Sequence, residues 1–306
     1  MANLQTTTVS GNLTVTGSSS LRATSVSGAL TVTGSSNGLL NFSNSKNAII
    51  IGAGVTLTGL SNVGSYTVNI GSDAGHLATN ASYSNFLGEQ AGLSSTNASN
   101  SNFLGSFAGR DAPNASSSNF LGQYAGWIAS SASNSNFLGN NAGFSATYAS
   151  YSNFLGFQAG YQVNGATATN NNFFGQLAGF LATNASYSNF FGCQAGQNLT
   201  GTSDNIAIGR GAAYRGTAFS VTSGIFIGGN CTTNGTAVTN VIGLGNDITL
   251  TTSNTVVIGN SSQNVGIGGL VNPSYKLDVG GGGRFTSSVY VNADELSSVL
   301  QAQIFS

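Results

Sequence analysis

A chain of 306 residues with 7 Lys and Arg, 8 Asp and Glu, and a formal net charge of −1 holds little of the chemistry that enzymes and nucleic-acid binders use. Charged residues make up 5% of it, where a globular domain has about a quarter, and its scattered Lys and Arg form no basic patch for phosphates or anionic lipids. Hydrophobic residues reach 40%, but no apolar run approaches the roughly 18 residues that cross a bilayer, so neither nucleic-acid binding nor membrane insertion is expected.

The first segment, residues 1–46, reads as a pair of β repeats for assembly or linkage. Val9-Ser10-Gly11-Asn12-Leu13-Thr14-Val15-Thr16-Gly17 returns 17 residues later as Val26-Ser27-Gly28-Ala29-Leu30-Thr31-Val32-Thr33-Gly34. These runs alternate in polarity, as strands do. Residues 1–20 lack the basic start and apolar core of a secretory signal.

Residues 47–268 carry the main array. The motif Asn-Phe-(Leu/Phe)-Gly-x-x-Ala-Gly places its Asn, Phe and first Gly at Asn85, Phe86 and Gly88, then at Asn102, Phe103 and Gly105, and again at Asn119, Phe120 and Gly122. It continues through Asn136, Phe137 and Gly139, Asn153, Phe154 and Gly156, Asn172, Phe173 and Gly175, and Asn189, Phe190 and Gly192. The step is 17 residues, with a single step of 19. Weaker copies extend the beat upstream through Ile51-Gly52 and Ile70-Gly71 and downstream through Ile208-Gly209, Ile227-Gly228, Ile242-Gly243 and Ile258-Gly259, for about 13 rungs in all.

Short apolar runs rich in Phe, Ile, Val and Thr, each closed by Gly, Asn or Ser, are strand and turn signals. The array is therefore expected to be an all-β fold, a β-solenoid or β-roll whose rungs stack at about 4.8 Å into a rod of roughly 60 Å. Gly at the end of each run suits corners that need positive φ, and the repeated Ala suits a narrow interior. Neighbouring strand residues face opposite ways. Of the Phe column and the Leu column beside it, one should thus fill the coil and the other should need a cover, most simply another copy of the chain. The Asn column has two readings, an amide ladder running from rung to rung or a row of local turn bonds.

No catalytic constellation appears along this array. His76 is the one histidine and reads as a surface or corner residue. Cys193 and Cys231 are too few for a zinc site and read as free thiols. The acids fall at no common repeat position, and the Gly-rich runs lack the helix and Lys-Ser/Thr of a phosphate cradle. No catalytic, cofactor-binding or metal-binding residue is expected, and no cofactor. Asn-Ala-Ser triplets at Asn80, Asn97, Asn114 and Asn184 lie eight residues before a rung Gly and could carry glycans along one ridge, although a chain rich in Asn and Ser makes such triplets by composition.

The last segment, residues 269–306, reads as a strand over Arg284–Asn292 followed by a short helix from Asp294 to Phe305. Asp294 would cap that helix, which would seal the rod or dock into a neighbour.

The Asn-Phe-Leu-Gly-x-x-Ala-Gly array resembles repeats of phage and giant-virus tail-fibre proteins and, more distantly, the β-roll heads of trimeric autotransporter adhesins. Residues 264–280, Asn264-Val265-Gly266-Ile267-Gly268 and Pro273-Ser274-Tyr275-Lys276-Leu277-Asp278-Val279-Gly280, are similar to the segment before the self-cleaving chaperone of tail fibres. The resemblance implies a non-enzymatic structural protein that self-assembles into an extracellular fibre or filament, or stands on a virion surface. One alternative is a trimeric fibre that meets host-surface glycans through Tyr83, Tyr124, Trp127, Tyr148, Tyr151, Tyr161 and Tyr187, whose other reading is shielding of a neighbouring subunit. A second alternative, ice binding, predicts a flat Thr ladder.

Overall fold

The computed structural model describes residues 49–51, 66–165, 168–201, 203–269, 272–280, 290–291 and 294–295. The N-terminal β repeats expected over residues 1–46 lie outside the described residues.

Strands are short and all but the last pair run parallel. In chain order they are β1 (Ile49–Ile51), β2 (Val68–Ile70), β3 (Asn85–Leu87), β4 (Asn102–Leu104), β5 (Asn119–Leu121), β6 (Asn136–Leu138) and β7 (Asn153–Leu155). Then follow β8 (Asn172–Phe174), β9 (Asn189–Phe191), β10 (Leu199–Thr200), β11 (Ile206–Ile208), β12 (Phe219–Ile227), β13 (Thr232–Thr233), β14 (Val238–Leu244) and β15 (Thr249–Leu250). The chain ends with β16 (Thr255–Ile258), β17 (Val265–Ile267), β18 (Leu277–Val279), β19 (Tyr290–Val291) and β20 (Asp294–Glu295). A 14-stranded sheet takes β1 to β9, β11, β12, β14 and β16 in sequence order, with β10 pairing β12 from the side. Order in space thus follows order in the chain, as in a coil whose every turn lays one strand beside the last.

The fold is a parallel β-solenoid of about 11 turns with a period of about 17 residues. The turn count is lower than the 13 rungs expected, and the Val265–Ile267 beat lies outside the main sheet. β17 pairs β18 instead of β16. The expected C-terminal helix does not begin at Asp294. That residue is extended and pairs Val291 in an antiparallel ribbon, so its backbone opens no helical turn; residues 296–306 lie outside the described residues.

The registers show why the coil repeats. Phe86 pairs Phe103, Phe103 pairs Phe120 and Phe120 pairs Phe137, and the 19-residue step is absorbed with Phe154 still opposite Phe173. Each strand from β2 to β9, and β11, ends at a Gly with φ of 129–140°, as at Gly88 and Gly122. Few side chains tolerate that angle. The Gly88 N–H reaches back to the Ile70 carbonyl at 2.7 Å while the Asn85 N–H reaches forward to the Ser101 carbonyl at 2.9 Å, so each strand is tied to both neighbouring turns.

The core is narrow and built mainly of Phe and Ala. Phe86, Phe103, Phe120, Phe137, Phe154, Phe173, Phe190 and Phe226 are fully buried, together with columns of Ala such as Ala91, Ala108 and Ala125 and Ala98, Ala115 and Ala132. From Phe103 to Phe190 successive rings lie 4.6–4.8 Å apart and within 8° of parallel. Burying one such ring contributes about 2–3 kcal/mol, and offset stacking adds about 1 kcal/mol.

Asn69 breaks the Phe column at its upper end. It pairs Phe86 in register and is fully buried, yet neither atom of its side-chain amide has a hydrogen-bond partner, and nor has the buried Thr67 hydroxyl just before the strand. A buried amide without partners costs about 1–3 kcal/mol. Asn69→Leu should therefore raise the midpoint of thermal or urea unfolding, by about 1–2 kcal/mol of stability; a lowered midpoint would contradict the assignment.

Candidate functional site

Three surfaces follow the repeat, and each places expected residues differently. The first is the interior. Phe86 to Phe190 lie inside the coil, so it is the Leu column that faces outward, with Leu87, Leu104, Leu121, Leu138 and Leu155 half-buried on the outer face of the sheet. Volume decides which column goes in: beside one ring per turn the interior of the turns from β3 to β9 holds mostly Ala and Ser, with Val163, Asn171 and Leu199 as the larger exceptions.

A buried Ser column, hidden in the low-complexity stretch before each Asn, completes that interior. The Ser118 hydroxyl donates to the Ala132 carbonyl at 2.7 Å and accepts from the Ser135 N–H at 3.1 Å. Asn replaces Ser in two turns without loss of function: Asn205 donates to the Val221 carbonyl at 3.0 Å and accepts from the Gly224 N–H at 2.8 Å. Both residue types supply one donor and one acceptor at the same place, which a buried corner requires.

The second surface is the outer face of the sheet, where the Asn residues stand beside the Leu column. The Asn85 amide donates to Asn102 at 2.6 Å, Asn102 to Asn119, Asn119 to Asn136 and Asn136 to Asn153 each at 2.7 Å. Asn153 donates to Asn172 and Asn172 to Asn189 at 2.8 Å. Of the two readings of this column, the amide ladder is the one found. An open groove of about 710 Å³ runs along the face, lined by Leu87, Leu121 and Leu155 among others and by the Asn ladder.

The third surface is the row of corners. From β3 to β9, the described residues two after each strand-end Gly, and eight and five before it, take left-handed φ whatever their type: Gln90 at 53°, Asn97 at 52°, Tyr83 at 61° and Tyr151 at 57°. Asn80, Asn97, Asn114 and Asn184 occupy one of these corners, exposed and with φ of 49–58°. Asn tolerates that region better than most residues. Their triplets have a structural role: Asn80 donates to Asn97 at 2.9 Å and Asn97 to Asn114 at 2.8 Å in a second amide ladder, while Ser99 and Ser133 donate to the Asn80 and Asn114 carbonyls at 2.5 and 2.6 Å. The Ala between them, Ala98 or Ala115, fills the core.

The expected aromatic contact residues separate into two groups. Tyr161 lies between Phe144 and Phe180, with centroids at 4.8 and 5.1 Å. Tyr124 stacks on Phe107 at 5.1 Å and on Trp127 at 5.2 Å, and the Arg110 guanidinium lies 5.6 Å from the Trp127 ring. Those rings face one another. Tyr83 stacks on Tyr66 at 5.0 Å, whereas Tyr148, Tyr151 and Tyr187 are exposed with no aromatic neighbour among the described residues.

Reactive groups are sparse. Among the described residues no three His, Cys, Asp or Glu come together as a metal would require, and His76 is half-buried near an early turn. Both cysteines are free. Burial pushes the Cys231 thiol up to about 11 from its ordinary 9.0, against a smaller lowering by a hydrogen bond to the Ile227 backbone. A raised thiol pKa favours the protonated native state, so its contribution to stability is complete below pH 9 and fades as the pH climbs toward 11. Iodoacetamide near pH 8 should therefore alkylate the half-buried Cys193 in the folded chain and reach Cys231 only in denaturant; two modified thiols per folded chain would contradict this.

Comparison with known protein families and with curated proteins finds no match. The class established is the one the geometry defines, a tandem-repeat parallel β-solenoid with ladders on its inside, its face and its corners.

Proposed function

We propose that the chain is a non-enzymatic structural protein that self-assembles into an extracellular fibre or filament. The observation that carries this reading is the continuity of its ladders. Backbone bonds, the Phe stack and the Asn ladder pass from turn to turn through the same seven strands, β3 to β9, so tension or bending is shared among equivalent bonds and no turn is a weak link. The resemblance of its repeats to tail-fibre arrays supports placement outside a cell or on a virion. Electron microscopy of the purified full chain tests the reading: filaments or regular multi-copy rods are expected, and monomers at every concentration would overturn it.

A second reading, a fibre that also meets surface glycans, is favoured by the exposed rings of Tyr151 and Tyr187, each about 60% accessible. They stand on one corner column two turns apart, with Asn170 between them. A glycan array probed with the full chain and with Tyr151→Ala and Tyr187→Ala tests it. Retention that the two variants lose is expected, and no retention by the parent chain would remove this reading.

A further inference from the structure

We infer that the outer face of the sheet is the surface on which a second copy of this chain lies face to face, apolar column into apolar groove. The inference rests on the structural reading above and names the surface that reading needs.

The outward position that follows the inward Phe is apolar in every strand of the main sheet from β2 to β16: Ile70 at one end, Leu121 and Leu138 in the middle, Phe191 and Ile208 beyond them, Ile258 at the other end. The Asn ladder beside it is constant from β3 to β9, but the corner positions vary. The corner of Tyr83 and Tyr151 holds Asn100, Ser117 and Asp204 in other turns. A column held apolar where the corners of the same turns change freely is not a solvent-facing column.

Three properties point to the same chain as the occupant. No strand from β2 to β16 carries a Lys, Arg, Asp or Glu, so two copies of the face meet without like-charge repulsion. Knobs of the column recur at the pitch of the sheet, about 4.8 Å, and a second copy presents knobs and grooves at that same pitch along the full length. Such self-complementarity makes an isologous contact with the dry interdigitation of a steric zipper.

Area is the third property. About 11 turns at about 4.8 Å, with strands about 10 Å long, give roughly 500 Å² on each copy and about 1,000 Å² in the pair, which reaches the size of a specific interface. Polar groups flank the apolar centre, with the Asn ladder on one side. On the other, two residues beyond the Leu column, Asn140 donates to Gln123 at 3.1 Å. In other turns the same position holds Glu89 and Arg210, so the apolar core has a mostly polar rim with one acid and one base, which is the anatomy of a protein interface.

The test is a charge exchange in the full chain. One variant carries Leu121→Lys and Leu138→Lys, a second carries Leu121→Glu and Leu138→Glu, and Ile128→Lys, on an exposed corner away from the face, is the control. Circular dichroism and the melting midpoint report whether each coil is intact, and light scattering with electron microscopy reports assembly. The expected result is assembly by the parent and the control, a drop of at least tenfold in association for each charged variant alone, and recovery when the two charged variants are mixed. Charged variants that assemble like the parent would overturn the inferred face and leave self-assembly standing. Intact but unassociated variants that stay apart on mixing would overturn the face-to-face pairing. A parent that never associates would overturn both the face and the structural reading. Should the double variants fail to fold, the single exchanges at Leu121 are read against the same outcomes.

Discussion

Gly122→Ala should destabilise the coil by about 3 kcal/mol or more, among the largest effects expected from adding one methyl group to this chain. A Cβ at Gly122 would sit 2.5 Å from the carbonyl oxygen of Gly139 in the next turn, and φ there is +135°. Backbone cannot swing aside as a side-chain tip would. The Gly139 N–H is itself held at 2.8 Å by the Leu121 carbonyl, and Gly139 stands in the same relation to Gly156. Relief at one turn therefore moves the crowding to the next. Chemical unfolding of the variant and of the parent measures the effect, and a loss below about 1 kcal/mol would show that the turns are less tightly tied than described. Gly126→Ala should also be costly for a different reason, since its Cβ would enter the Phe120 ring at 2.3 Å from Cδ2.

Phe137→Ala should cost about 3–5 kcal/mol and should act on stability before assembly. The ring is fully buried between Phe120 at 4.7 Å and Phe154 at 4.8 Å, and both neighbours are pinned by their own stacks. The cavity can collapse little. In a solenoid each turn meets only its neighbours, so a weakened middle turn separates the halves above and below it. Two melting steps where the parent has fewer are expected by calorimetry. A single sharp transition with a midpoint near the parent's would contradict a Phe column inside the coil. Loss of assembly at unchanged stability would contradict it too, since that outcome belongs to a column between chains.

The columns themselves were legible because a fixed period puts like residues in like environments. Phe86 to Phe190, the Ala of each Ala-Gly and the Gly after β2 to β9 and β11 could be assigned from spacing and propensity. The beat read at Ile242-Gly243 is two residues out: Gly243 pairs the inward Phe226, and Gly245, with φ of 136°, ends the strand. Spacing could not say which of two adjacent apolar columns points inward. Alternation makes Phe and Leu opposite and is silent about sign; the sign comes from the volume left by the Ala columns and the buried Ser. Ser118 and Ser135 were invisible as core residues, because a Ser beside an Asn reads as turn material, and their role appears only when the next turn supplies the carbonyl and the N–H. The left-handed corners were hidden for the opposite reason. Gln90, Tyr83 and Ile128 have no turn signature, and the ladder bonds of neighbouring turns impose their angle upon them.

The 19-residue step between β7 and β8 has a consequence for how such a chain can change over generations. Asn153 meets Asn172 and Phe154 meets Phe173 as though two residues had not been added, and the amide bond across that step, at 2.8 Å, matches the one in the next, regular step. Length errors are thus confined to the corner where they occur. A gene that grows by copying a 17-residue unit need not copy it to the residue, because the strand finds its partner by the ring it buries and the stack continues past the added length.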